Sequence, residues 1–592
     1  MVEPVSRRRI ARALLLSAAA VPVPAMSAVS FEPSVESRLV GTYSSDQSPE
    51  TRSWNEIAAG LQSSVDTDRI DFDLRYRYAH RLPLSGETID DSRHTGSGLM
   101  RGELLRDLLY LDAQGAATVL NTGAAGVVDV DGDDPRQQQT FSASLQPALR
   151  RQFGKLLANL RYSYGIFEVD GRTAPLRVGQ PFVPNQSFAL GASDTRNHSA
   201  SASIGNVGRS DRFRWRLVGE YQRDSIEQLD QRYTSKRVTA DAEYALTRTV
   251  GLIANVGYED ILDRQAGVLL DATGVPILDA DGLVQLDPAQ PVVTNFDTSG
   301  LTYEGGFRLS PSRRTNFIAR AGKRFGDFTA AGSFELRLTR GIRMFATYTE
   351  SINNFGRLFT TLFTDPVSGV ITPIDSFSGG GQRSPLGSST CAFGLDPATG
   401  SCRFNLTQVA ANATFKDQSA ALTIARGGVG AVESGRTLRF TGAVSSFYTR
   451  RSYLGRQPAG VPAGATPFSL AGAVDTSYGV NLQGEQQLGS DGSAAFDLRV
   501  QRNEYGLSRD GKDLLVTAQL RYDKTIGRRL GVFATLFATR RWVDDNAAAA
   551  LSNRLDLIAR KSATASIGVR YLFSSNRGRA APSSPRQNTP EG

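Results

Sequence analysis

Three histidines are the first side chains to weigh for chemistry: His80, His94 and His198. His94 follows Asp90 and Asp91, and a carboxylate beside an imidazole is the minimum for acid–base or nucleophilic work. No activated serine or second acidic pair accompanies them. Solvated residues at a loop edge explain the group as well, and no catalytic residue is expected. Asp129, Asp131, Asp133 and Asp134, and again Asp279 and Asp281, alternate carboxylates in a manner that could offer oxygen ligands to calcium. The glycine comes too early in the first run, and the distal bidentate glutamate is missing from both. Asp-Gly turns in external loops account for them, so neither a cofactor nor a metal is expected.

The two cysteines, Cys391 and Cys402, bracket Asp396-Pro397-Ala398-Thr399-Gly400, a turn signal flanked by short arms. In an oxidising compartment they would clip a hairpin across its base, stabilising that loop by roughly 2 to 3 kcal/mol. Arginines form the broadest chemical pattern: Arg75, Arg77, Arg161, Arg214, Arg216, Arg308, Arg337, Arg499, Arg521 and Arg570 each occupy an alternate position in a segment whose other positions are apolar. Lining a lumen, they would favour anionic solutes such as acidic sugars. A ladder of compensated charge pairs is the competing reading. The net charge of +8 is spread along these segments rather than gathered in a basic arm, which argues against nucleic acid.

The elements that must carry these residues are long alternating strands. Ile70, Phe72, Leu74, Tyr76 and Tyr78 alternate with Asp71, Asp73, Arg75 and Arg77, and Leu514 to Tyr522 repeats the dyad. Such segments run about ten to fifteen residues, longer than the usual five or six of soluble strands and enough to span a bilayer. No run of eighteen apolar residues exists for a membrane helix. Tight turns near Asp66, Asp107, Gly154, Arg313 and Gly489 alternate with long connections such as those following Asn121, Asp170, Leu262 and Asn353. That alternation predicts an all-β, transmembrane, antiparallel up-and-down barrel of about 22 strands, between roughly 18 and 24, with short periplasmic turns and long extracellular loops.

The ends agree with export through a Gram-negative envelope. Arg7 to Arg9 followed by Ile10 to Ala20 read as a signal peptide over residues 1–28, cleaved after Ala25 or Ala28. The barrel is expected over 29–573, with a disordered periplasmic tail over 574–592. The last strand ends in Tyr571 and Phe573, similar to the aromatic signal read by the barrel assembly machinery. Outer-membrane lipids are the remaining expected partners, with both mature termini in the periplasm.

Several stretches resemble the outer-membrane barrel proteins associated with the PEP-CTERM and exosortase systems: Asp71-Phe72-Asp73-Leu74-Arg75-Tyr76, Leu108 to Ala113, and Phe153 to Tyr164. The sharpest runs from Tyr303 to Thr315 and continues through Gly322-Lys323-Arg324-Phe325-Gly326. The resemblance implies a pore or accessory component linked to exopolysaccharide export or biofilm. A closed structural or surface-interaction barrel is the alternative. The resemblance transfers no site residues and carries no established reaction; a hydrolase site at the rim around Asp90, Asp91 and His94 is the weakest alternative, and no enzyme is expected.

Overall fold

A computed structural model describes residues 28–573 except 46–48, 68, 87–91, 122–136, 171–193, 207–211, 228–229, 268, 270–276, 278–284, 340, 355–413, 427–431, 434–435, 438–439, 455–472, 490, 507–510, 528 and 544–559. The proposed leader except Ala28, the tail, Asp90, Asp91, the Asp129 to Asp134 run, Asp279, Asp281 and the Cys391–Cys402 pair lie outside the described residues.

The first strands are β1 (Ala28–Ser45), β2 (Pro49–Asp66), β3 (Ile70–Ser85), β4 (Ser92–Leu105), β5 (Leu109–Asn121), β6 (Gln137–Phe153), β7 (Leu156–Asp170) and β8 (Asp194–Asn206). There follow β9 (Phe213–Ile226), β10 (Gln231–Ala245), β11 (Val250–Gln265), β12 (Val293–Ser312), β13 (Thr315–Arg324), β14 (Asp327–Arg337), β15 (Ile342–Asn354) and β16 (Thr414–Arg426). A two-residue ladder, β17 (Val432–Glu433) with β18 (Arg436–Thr437), interrupts the order before β19 (Phe440–Tyr453), β20 (Val474–Gln487), β21 (Gly492–Tyr505), β22 (Gly511–Ile526), β23 (Leu530–Val543) and β24 (Arg560–Leu572).

Apart from β17 and β18, every strand joins one 22-stranded antiparallel sheet in which each pairs with its sequence neighbours. The sheet closes because β1 pairs with β24, with Val35 opposite Tyr571 and Leu39 opposite Ile567. Closure leaves no unpaired edge, the condition for a sheet in hydrocarbon. β1 begins and β24 ends at one rim, here the terminal rim; the opposite end is the far rim. Most long connections lie at the far rim, as alternation predicted, yet the connection from β16 through β17 and β18 to β19 lies at the terminal rim, and the far-rim connections after β1, β9, β13 and β21 are short. A short turn satisfies antiparallel geometry at either rim, so the alternation is a tendency of this barrel and not a rule.

Alternation sorts the side chains. Leu39, Leu217, Val256, Leu301 (71% exposed), Leu520 and Ile567 stand on the outer face. Phe213, paired with Tyr244 near the terminal rim, stands about eight residues below Tyr221 on the same strand, and Tyr244 about six below the level of Tyr258. Eight residues of tilted strand span roughly 20 Å of height, close to the ~25 Å apolar band that aromatic girdles bound in outer-membrane barrels.

Above β13 and β14 the wall splits. The β12–β13 ladder stops at Tyr303–Lys323, although β12 continues to Val293, and β14 pairs with β15 only between Gly332–Tyr348 and Arg337–Arg343. Gly306 and Gly322 lie in the upper paired part of the β12–β13 ladder. A Cβ on Gly322 would stand 1.9 Å from the Tyr303 carbonyl oxygen, and one on Gly306 2.1 Å from that of Ala319. Only glycine lets the two backbones approach so closely.

Candidate functional site

The inner face is the candidate site, because two-residue periodicity turns the polar half of every strand into the lumen. All ten arginines named from the sequence occupy positions on the face opposite the apolar belt, and carboxylates share that face. At the closing seam, Arg77 donates to Glu36 (2.8 Å) and Glu56 (2.5 Å), while Arg570 of the last strand reaches Glu36 at 3.0 Å. Glu56, 1% exposed, also takes Arg38 at 2.7 Å, and Arg81 stands 3.5 Å away. These groups tie β1, β2, β3 and β24 across the join.

A second cluster spans β9 to β12. Glu243 bridges Arg214 (2.5 Å) and Arg308 (2.6 Å), and Asp241 takes Arg216 at 2.8 Å with Asn255 donating to its other oxygen. A third joins β20 to β23. Asp513 pairs with Arg541 and accepts from Asn503 at 2.7 Å; Gln501 donates to Ser477 at 2.6 Å and accepts from Arg499. Arg499 also lies over the Phe447 ring (5.2 Å), as Arg570 lies over Phe533 (5.5 Å), so cation–π contact supplements the ion pairs. Arg521 reaches Asp523 at 2.5 Å, Arg337 reaches Glu335 at 3.2 Å and Arg75 reaches Asp73 at 3.4 Å. Arg75 is half exposed and Arg161 is exposed, so water reaches part of the inner face.

The far mouth is built differently. Ile352 of β15 packs with Tyr233 of β10, Ile261 of β11 and Phe325 of the β13–β14 turn; Phe296 and Leu454 close the cluster. Gln231 of β10 donates to the Thr414 hydroxyl of β16 at 3.0 Å, and Asn354 of β15 donates to Asp224 of β9 at 2.9 Å. Within a single wall β10 and β16 would stand six strand spacings apart, roughly 29 Å. The contacts therefore require the upper ends of β15 and β16 to fold inward, against the lumen side of β9 to β11. Ile352 and Asn354 share the side of β15 that carries Met344, an outward position lower down, so the face turned to lipid below is buried between two layers above. Where β15 leaves β14, Glu350 accepts from the Ala330 amide at 3.3 Å and reaches Lys416 at 3.3 Å.

Phe325 and Gly326 both have positive φ, 56° and 78°, the geometry of a two-residue type I′ hairpin. Asn or Asp is the ordinary first residue of such a turn. A phenylalanine there costs about 1 kcal/mol or more, offset by burial of its ring in the mouth cluster and by its amide donating to Glu259.

The histidines turn elsewhere. His94 lies on the outer face against Tyr76, Tyr78 and Phe141, its Nδ1 sharing a 2.5 Å hydrogen bond with the Tyr76 hydroxyl. His198 repeats this with Tyr162 at 2.8 Å and Tyr164 beside it. Among the described residues no group of three or more His, Cys, Asp or Glu is arranged to hold a metal.

What the arginine pattern did not reveal was the carboxylate that meets most of these arginines. Glu36, Glu56, Asp241 and Glu243 belong to strands of mixed texture, and only the register shows whom they face. The signal available in sequence was parity: Trp54, Glu56 and Ala58 share one face.

No protein-family model matches the chain, and no curated protein matches it. Among solved structures, the chain is similar to the FrpB iron transporter from Neisseria meningitidis, at 10% identity over 91% of this chain and 82% of that one, with a TM-score of 0.43. It is also similar to the siderophore receptor PirA from Pseudomonas aeruginosa, at 9% identity over 91% and 80% with a TM-score of 0.33. The copper transporter OprC gives 10% identity over 91% and 80%, with a TM-score of 0.37. The chain is an outer-membrane β-barrel on its own closed sheet and lipid-facing belt.

Proposed function

We propose that this barrel is an accessory component of exopolysaccharide export whose far mouth is shut at rest, rather than a standing anion-selective pore. The observation that carries closure is the inward layer of β15 and β16, bonded through Asn354 and Thr414 to β9 and β10. Compensation of the inner arginines supports it, because a guanidinium bound to a carboxylate offers little net field to a passing anion. The polysaccharide connection rests on the resemblance alone, carried by Tyr303 to Thr315 and Gly322 to Gly326. In this reading both termini are periplasmic and the far rim faces outward, supported by the shared rim of β1 and β24 and by the leader-like start. Tyr571 and Phe573, stacked edge-on with centroids 5.2 Å apart, serve as the assembly signal.

Single-channel recording of the refolded, heat-modifiable protein in a planar bilayer tests the reading. The native chain should be almost silent, and Ile352→Asn, which places an amide in the mouth cluster, should produce frequent openings. A steady anion-selective current from the native chain would refute closure.

A further inference from the structure

On the outer face of β8 to β11, just beyond the tyrosine girdle, cations outnumber the carboxylates that pair with them among the described residues. Register sets the arrangement. Arg223 lies directly opposite His198 on one side, and diagonal to Arg196 on β8 and to Arg232 and Lys236 on β10. Arg232 in turn lies directly opposite Arg264 of β11. Asp230 takes Arg232 at 3.1 Å, and Asp260 takes Lys236 at 3.8 Å. Arg196, Arg223 and Arg264 are exposed and make no ion pair among the described residues.

Like charges facing one another across a sheet destabilise it unless an anion stands between them. The inner faces of these same strands show the alternative: Arg214 and Arg216 are each met by a carboxylate. Arg196, Arg223 and Arg264 lack that solution, and their patch continues directly from lipid-facing Tyr162, Tyr221 and Tyr258. At that height the neighbour of the wall is the headgroup layer. Planar guanidinium groups bind phosphate oxygens in paired, parallel hydrogen bonds.

We infer that Arg196, Arg223 and Arg264 form a docking site for the phosphate-bearing headgroup of an anionic membrane lipid in the leaflet at the far rim. His198 lies within the same patch. Tyrosine rings beneath would flank the acyl chains, so the site grips a lipid at both of its chemical ends. This rests on the barrel lying in a membrane and is independent of whether its lumen conducts.

The test places the full chain in nanodiscs carrying trace spin-labelled phosphatidylglycerol or spin-labelled phosphatidylcholine and reads the motionally restricted fraction. A cation at an anionic membrane surface is worth about a fivefold preference, so three give on the order of a hundredfold at low salt. The native barrel should restrict the anionic label preferentially. The Arg196→Gln, Arg223→Gln, Arg264→Gln triple variant should lose that preference while remaining heat-modifiable, and Arg313→Gln at the terminal rim should keep it. Equal preference in native and triple variants would overturn the site. So would displacement of the anionic label by an equivalent concentration of inorganic phosphate, which would mark a free-anion site instead.

Discussion

Replacing Glu56 should cost more than any other single change at the seam. Its carboxylate is 1% exposed and receives Arg38 through two bonds, 2.7 and 3.0 Å, and Arg77 at 2.5 Å, with Arg81 at 3.5 Å. Removing one member of a buried ion pair costs about 3 to 5 kcal/mol, chiefly because the remaining charge is left desolvated. Arg81 is buried and Arg38 partly so, and both lose the Glu56 carboxylate. Arg77 is a fifth exposed and keeps Glu36, which moderates the loss. Glu56→Ala should therefore destabilise the barrel by about 3 kcal/mol, near the lower end of that range. Glu56→Gln retains volume and an acceptor and loses only charge-assisted bonding, so about 2 kcal/mol is expected. Trp54, buried two residues away beneath Arg81 at 4.7 Å, is a built-in reporter. Equilibrium urea unfolding in phospholipid vesicles, followed by tryptophan fluorescence and by the gel shift of the heat-modifiable form, measures both variants. A Glu56→Ala barrel within about 0.5 kcal/mol of native would refute the claim that the seam is held by this carboxylate.

Adjacent glycines should behave oppositely. Gly305→Ala meets nothing within 4 Å and should leave the unfolding midpoint unchanged, whereas Gly306→Ala meets the Ala319 carbonyl and should lower the folded yield sharply. Phe325→Asn inserts the residue a type I′ turn prefers, gaining about 1 kcal/mol there, but forfeits roughly 2 kcal/mol of ring burial. The net effect expected is lower stability and more channel openings; a stabilised, silent variant would show that the turn and not the mouth cluster governs Phe325. Arg570→Gln removes the last strand's ion pair with Glu36 and should increase the fraction of chain that refolds without the gel shift, by comparison with native protein at equal lipid.

The barrel was legible in the sequence because side-chain direction in a strand is a local property. Ile70 to Tyr78 alternates whatever it pairs with, and that period decided which face would meet lipid and which the ten arginines would occupy. The short β13–β14 hairpin left its mark as well, in the Gly305-Gly306 and Gly322 to Gly326 texture, although the sequence could not say why those glycines were needed. Partners were not legible. That Arg77 meets Glu36 and Glu56, or Arg214 and Arg308 share Glu243, depends on the register of separate strands, and a one-residue slip would send each to the other face. The folding of β15 and β16 against β9 to β11 is less legible still. Asn354 and Asp224 are 130 residues apart, and Ile352 sits on a side of its strand that the alternating pattern assigns to lipid. Local periodicity determined a wall with two chemically distinct faces; long-range packing decided where that wall splits, doubles over itself and narrows its mouth.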